Sequence, residues 1–380
     1  MWAEETKSKT APKPTCIQSR VVDRERLVML FRRWSEIEAV SNLSPLYGVL
    51  GHTVADDPEL LDLANECLPG QPPPNILFAA VHAFLAAHPD EPLARYYPSQ
   101  GGRLPAAPEA APLFRDLCLR NRDALLPIIR TGLTQTNEVR RSALLLPALQ
   151  EIARDSGSEL ALIEIGPSAG LNLNFDLYHY RYGAVELGDP DSQLTLETEV
   201  RGAVPRGAIP EVAGRAGIDL NPLDVRNPAD VAWLRALIWP EHADRLALLN
   251  AAIAIAMQHP PALHKGEFSE WLPQLVANTN ESAAICIVAT FVLNQLAPED
   301  RAQLRRELLR LSAGRTMYMV VIGFPTFVEP NSQLPGEEQV WLLRLRGGQG
   351  EYRLTAIANP HGRWIELRPG SPWKPWTESA

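Results

Sequence analysis

Two patterns of apolar positions divide this chain. From residue 20 to residue 157 the apolar residues recur at helical spacing. They predict helices over 22–40, 57–66, 75–87, 113–130 and 138–155, separated by Pro- and Gly-rich joints at 69–74 and 98–112. Asp57-Pro58 supplies an N-cap followed by a first-turn proline. At residue 159 short apolar runs begin to alternate with helical ones. Strands are expected at 160–165, 215–220, 262–266, 284–290 and 316–322, with helices at 171–178, 229–257 (interrupted near Pro240), 271–276 and 299–311. Strands at 340–345 and 352–357 close the chain with no helix between them. Alternating β and α predicts a mostly parallel sheet covered by helices on both faces, with an antiparallel edge. The expected organisation is a disordered leader (1–19), a helical domain (20–157), an α/β domain (158–370) carrying a polar insertion at 182–214, and a tail (371–380).

Composition narrows the function. Asp and Glu total 45 against 36 Lys and Arg, a net charge of −9, which argues against a nucleic-acid surface. Short basic clusters at Arg140-Arg141 and at Arg301, Arg305 and Arg306 do not change that. Cys16, Cys67, Cys118 and Cys286 are scattered, which suggests neither a zinc site nor a disulfide framework and fits the reducing cytoplasm. The histidines show no metal-ligand spacing, so no metal is expected. The apolar run 283–293 is too short to span a bilayer, and no membrane partner is expected.

The candidate chemistry centres on the end of the first strand, E-I-G-P-S-A-G-L-N at 164–172. A doubly wound sheet binds ligands beyond the carboxyl ends of its strands. Glu164, Gly166 and Gly170 have the form E-x-G-x-x-x-G, which resembles the first motif of class I S-adenosylmethionine-dependent methyltransferases. Ser168 also centres a G-x-S-x-G, the nucleophile elbow of α/β-hydrolases. Asp219 ends the second strand, where an acid either holds ribose hydroxyls or caps a turn. Glu267 ends the third and either meets an adenine amino group or caps a helix; Thr290 ends the fourth. Gln135, Thr136, Asn137 and Glu138 precede an apolar helix leading into the first strand. Its direction brings them to the Gly166 turn, as ligand contacts or as caps with Thr136 or Asn137 at the N-cap. Asn172 and Asp176 face one another at i,i+4 on the expected helix after that turn. The hydrolase alternative would take Ser168, then Asp219 or Glu267, then His361, but no His-Gly-Gly-type oxyanion loop occurs in the sequence.

The segments Q-T-N-E (135–138), E-I-G-P-S-A-G-L-N-L (164–173), G-I-D-L-N-P-L-D-V (217–225), W-L-R-A-L-I-W-P (233–240) and N-P-H-G-R-W (359–364) together resemble the bacterial domain-of-unknown-function 2332 family, over residues 25–365. The resemblance implies a Rossmann-like, class I methyltransferase-type sheet preceded by an all-helical domain. The likeness of the E-x-G-x-x-x-G turn and the strand ends to class I methyltransferases implies S-adenosylmethionine as cofactor, with Glu164, Gly166, Ser168, Gly170, Asn172, Asp219, Glu267 and Thr290 around it. Ser168 stands where the motif usually has its middle glycine. The stretch from Gly170 to Asp219 is longer than a plain β-α-β crossover needs. The expected reaction is methyl transfer to a small molecule held by Gln135, Asn137 and Asp176, with Glu138, His82 or His179 as base. The alternatives are elimination or cyclisation on the same fold, or a binding protein that does without the cofactor.

Overall fold

The structure is a computed structural model and describes residues 23–329, 332 and 337–377. The expected leader and residues 378–380 of the expected tail lie outside the described residues. The chain forms two compact units. One runs to Tyr96 and resumes over Arg103–Thr134; the other takes Tyr97–Gly102 and everything from Gln135. The boundary therefore falls at residue 134 rather than 157.

The first unit is helical among its described residues: α1 (Arg24–Arg33), α2 (Pro45–Asp56), α3 (Pro58–Ala64), α4 (Pro73–Ala87), α5 (Ala110–Arg120) and α6 (Arg122–Thr131). Asp57 caps α3 as its sequence predicts, accepting from the Glu59 and Leu60 amides. Phe31, Trp34, Tyr47, Phe78 and Phe114 pack ring against ring in its core.

The second unit opens with α7 (Arg141–Ser156), whose Leu144, Leu149 and Ile152 join the core of the sheet and so remove this helix from the first unit. The strands follow: β1 (Leu160–Ile165), β2 (His179–Tyr182), β3 (Val185–Leu187), β4 (Thr195–Val200), β5 (Val212–Asp219), β6 (Ala262–Lys265), β7 (Ala284–Thr290), β8 (Met317–Ile322), β9 (Glu338–Arg346), β10 (Gln349–Ala358), β11 (Trp364–Leu367) and β12 (Lys374–Trp376). Between them lie α8 (Pro228–Ala236), α9 (Ala243–Gln258), α10 (Phe268–Asn278) and α11 (Pro298–Ser312). The sheet order is β3-β2-β4-β11-β10-β9-β8-β7-β1-β5-β6, with β12 added on β10. The five strands β6-β5-β1-β7-β8 are parallel, and β9 and β10 continue antiparallel. The order reverses between β1 and β7, which makes the carboxyl ends of those two strands the topological switch point.

Alternation along β1 sends Leu160 and Leu162 to the core shared with α7 and α9, and Ile163 and Ile165 to the core under α10 and α11. Glu164 follows the parity of Leu160 and Leu162, so its side chain lies on the α7 face.

Three expectations are corrected. Residues 171–178 form no α-helix; Leu171–Leu177 is a 3-10 segment. The expected insertion 182–214 is part of the sheet. Leu196 and Thr198 of β4 alternate inward against exposed Glu197 and Glu199, and β4 joins β11. The long stretch from Gly170 to Asp219 thus builds three strands at the far end of the sheet before returning as β5. The expected tail contains β12, whose Trp376 packs beside Phe327.

Candidate functional site

The turn after β1 is wound through the left-handed region at Gly166 (φ 69°), Ser168 (φ 56°) and Gly170 (φ 71°). Phe291, at the facing end of β7, has φ 56°. Two of the three described non-glycine residues with positive φ therefore flank the switch point. Such conformations cost about 1–3 kcal/mol each and persist only where the surroundings enforce them.

The enforcing contacts come from the segment before α7 and from the loop after β5. Asn137 Nδ2 donates to the Pro167 carbonyl (3.2 Å), and its Oδ1 accepts from Leu171 N (3.2 Å). Ser168 N donates to Asp219 Oδ2 (2.9 Å), and Ser168 Oγ to the Gln135 carbonyl (3.0 Å). Asp219 Oδ1 accepts from Asn221 N (2.8 Å) and Gln135 Nε2 (3.3 Å). Gln135 Oε1 accepts in turn from Asn221 Nδ2 (3.0 Å).

The polar segment thus reaches the Gly166 turn, but not as helix caps. Residues 135–138 belong to no helix or strand and α7 begins at Arg141 with Arg140 at its N-cap, so Thr136 and Asn137 do not cap it. Asn137 staples the turn instead. Asn137→Ala is expected to cost about 1–3 kcal/mol, because the Leu171 amide is left buried without its acceptor; urea denaturation measures this.

The glycines are explained by packing. A Cβ on Gly166 would lie 2.4 Å from Val292 Cγ2, one on Gly170 2.7 Å from Pro261, and one on Gly217 2.6 Å from Pro167. The space the sequence reserves for a ligand is filled by the protein's own side chains. Gly166→Val would therefore destabilise the fold as well as the site.

Charge gathers on the α7 face of the same edge. Both oxygens of Glu164, a residue 1% exposed, are buried without a hydrogen-bond partner among the described residues. Burial pushes its carboxyl up to about 8, with Arg141 opposing the rise, Asp219 adding to it, and the Thr290 hydroxyl, which is near but falls short of hydrogen-bond geometry, opposing it weakly. The Arg141 guanidinium lies 3.9 Å over the Phe291 ring, and its Nε is buried without a partner. Burial draws Arg141 down to about 10 against the pull of Glu138, Glu338 and Glu164. Glu338, at the start of β9, is raised by burial and pulled back by Arg141.

Beside Arg141 sits a tighter ion cluster. Glu138 pairs with Arg245 Nε at 2.7 Å, both side chains almost fully buried. It also meets His361 Nδ1 at 3.2 Å. Burial opposes its charge, but Arg245, His361 and Arg141 together hold the carboxyl near 2. A carboxylate that weakly basic cannot serve as the base expected of it; it is a fixed negative charge. Next to it, Arg140 pairs with Asp244 at 2.9 Å, and both line an open depression of about 440 Å³ together with Arg181, Glu197, Thr198 and Arg363.

A family model described as an uncharacterised protein conserved in bacteria, domain of unknown function 2332, matches residues 29–367. The chain belongs to this family. No curated protein and no solved structure matches it.

In this family member the remaining expected site residues are dispersed. Asn172 accepts from Ser142 Oγ at the start of α7 (2.8 Å). Asp176 is held by both terminal nitrogens of Arg215 (2.8 Å each). Glu267 is exposed beyond β6 and caps α10 by position, without a side-chain bond. Thr290 is buried beside Glu164. His82 is a buried residue of α4 in the first unit. His179 is buried on β2, near Thr195 Oγ1 (3.3 Å) and Glu186 (3.7 Å).

Arg141, Arg245 and Glu338 are the members that sequence reasoning missed, and His361 entered it only through the hydrolase alternative. Their one local signal is Arg141, a charge set at the mouth of a strongly apolar helix. The hydrolase arrangement is not assembled: the Ser168 hydroxyl donates to a backbone carbonyl, and His361 turns to Glu138. A fluorophosphonate probe is expected to leave Ser168 unlabelled. Ser168→Ala should cost about 1 kcal/mol of stability, the worth of one hydrogen bond.

Proposed function

We propose that this protein is a small-molecule methyltransferase that holds the amino-acid end of S-adenosylmethionine between Glu164 and Arg141. The observation that carries the reading is the Glu164 carboxylate, buried with neither oxygen partnered among the described residues. Leaving such a group unsatisfied costs about 1–3 kcal/mol or more, so it calls for a partner that arrives with the ligand. A ligand ammonium fits Glu164. A ligand carboxylate fits Arg141, whose planar guanidinium matches it in geometry and charge. An acid kept protonated by burial and a guanidinium that acts on it electrostatically suit a zwitterion, whose ammonium would draw the proton off Glu164.

The topology adds support. Five parallel strands reverse order at β1/β7, so the carboxyl ends of those strands offer the crevice in which an open α/β sheet takes its ligand. The fit is narrower at the nucleoside end. Asp219 already accepts from Ser168 N, Asn221 N and Gln135 Nε2, so it is assigned to the turn and not to ribose. Glu267 and Thr290 stay in the reading as contacts at the sheet edge.

The cofactor would supply an electrophilic methyl group. The chain's own contribution is to fix the ligand's charges with Glu164 and Arg141, to seat the Arg141 guanidinium over the Phe291 ring, and to exclude water. The acceptor is proposed to be a small molecule and the setting the cytoplasm; no described helix is long and apolar enough to cross a membrane.

Calorimetric titration with S-adenosylmethionine and S-adenosylhomocysteine tests the reading. Micromolar binding of either is expected. Silence with both would select a second reading, a binding protein without this cofactor. That reading is favoured by the protein side chains filling the spaces beside Gly166, Gly170 and Gly217.

A further inference from the structure

The first unit leaves one helical face uncovered among the described residues. Five of the eight exposed large hydrophobic residues described, Met29, Leu30, Ile37, Val40 and Leu43, fall within this one stretch of chain. They lie on α1, on the π-helical turn Trp34–Ala39 that continues it, or just beyond. Leu27, Phe31, Trp34, Ser35 and Ala39 are buried and mark the inner face. Met29, Arg33 and Ile37, spaced by four, form a row on the outer face, and Arg32, Glu36 and Val40 form the row beside it. Leu43 carries a further cost. Its φ is 55°, the left-handed conformation that closes a helix and is usually left to glycine. Its amide donates to the Val40 carbonyl (3.1 Å). A leucine there bears strain of about 1–2 kcal/mol. Its side chain is 64% exposed, so packing among the described residues does not repay that strain.

Charge is sorted along the same segment. Arg24, Arg26, Arg32 and Arg33 come first and Glu36 and Glu38 follow, all exposed, with Glu25 the exception. Arg24 and Arg32 are tied to Asp62 and Asp56 of this unit (2.6 and 2.9 Å). Arg33 and Glu36 form no salt bridge among the described residues; Arg33 acts only through its field, on Glu38. A segment that is basic at one end and acidic at the other is complementary to itself when turned end for end.

We propose that this face is the contact of a homodimer, in which α1 and its π-turn pack antiparallel on the same segment of a second copy. The two-fold axis lies level with Trp34 and Ser35. In that register Met29 meets the partner's Val40 and Arg33 meets the partner's Glu36, and each contact occurs twice. Leu43 covers the stem of the partner's Arg26. The apolar rows are removed from water, and the two charges without salt bridges gain opposite partners. The segment is about 25 Å long. Its contact is therefore small, and the dimer forms reversibly at micromolar concentration. The inference concerns the helical unit and does not rest on the transferase reading.

Sedimentation equilibrium of the full-length protein between about 1 and about 100 µM is the test. The mass is expected to rise with concentration from one chain toward two. Arg33→Glu should weaken the dimer by about tenfold or more, because like charges then face each other at two places. Arg33→Glu combined with Glu36→Arg should restore it, since the swap re-creates both pairs. Cross-linking supplies a second measurement. Met29→Cys with Val40→Cys, in a chain also carrying Cys16→Ser and Cys67→Ser, should oxidise to a covalent dimer, and neither cysteine substitution alone should do so; Cys118 and Cys286 are buried. Within one chain the two positions are about 16 Å apart along the helix, too far for a bridge. A chain that stays monomeric at the highest concentration, as it would if its own residues 1–22 or an unlike protein covered the face, would overturn the proposal. So would a dimer that is indifferent to Arg33→Glu or that fails to cross-link.

Discussion

Glu164→Gln is expected to abolish ligand binding and to make the protein more stable, with a gain that grows with pH. The folded carboxyl is pushed up to about 8 from an ordinary 4.5. Between those values the folded protein keeps a proton that the unfolded chain releases. Stability is therefore undiminished below about 4.5, falls as pH rises through the window, and carries the full penalty above 8. That penalty is on the order of 5 kcal/mol. Glutamine has nearly the same shape and no charge to bury, so the variant should be nearly neutral at pH 5 and stabilised by a few kcal/mol at pH 9. Urea denaturation at the two values measures the difference. A variant whose stability tracks the wild type across this range would mean that Glu164 is not held protonated.

Glu138→Ala should do the reverse. It strips the partner from Arg245, whose side chain is only 5% exposed, and leaves a cation in a place water does not reach. Breaking a buried pair from one side costs about 3–5 kcal/mol. Glu138→Ala with Arg245→Met should recover much of the loss, because both charges then go together. Acid provides a second signature. The folded Glu138 carboxyl lies near 2, below its ordinary 4.5, so its contribution is present above 4.5 and is lost as pH falls toward 2. The wild-type protein should lose that contribution over this range, and Glu138→Ala should not. Equal acid sensitivity in the two would place the ion pair outside the stabilising core.

Where the physics is local, the sequence carries it. The alternation of Leu160 to Ile165, the Asp57-Pro58 start of α3 and the break near Pro240 all depend on residues within one turn or one strand of each other. The parallel strands and most of the N-terminal helices are legible for that reason, but α2 lies where no helix is expected and the helix expected at 113–130 is two, α5 and α6, broken at Asn121. The approach of Gln135 and Asn137 to the Gly166 turn follows from helix direction alone. Strands β3 and β4 are not legible, because one face of β4 is charged and its flanks are rich in Pro and Gly, so the segment reads as an excursion. The glycines at 166 and 170 announce a need for space, but nothing local says that Val292 and Pro261 fill it. The ion cluster is the least legible part. Glu138, Arg245 and His361 come from the approach to α7, from α9 and from a hairpin tip, and only the completed sheet edge brings them together.

The account stands or falls on what Glu164 does when a ligand arrives. If it receives an ammonium group it must ionise, and at pH 7 a carboxyl held near 8 must first give up a proton. Titrating S-adenosylhomocysteine into the protein at pH 7, in buffers of different ionisation enthalpy, counts that proton directly. The account predicts release of about one proton per ligand bound in the wild-type protein and no binding in Glu164→Gln. Binding without proton release, or undiminished binding by Glu164→Gln, would contradict it.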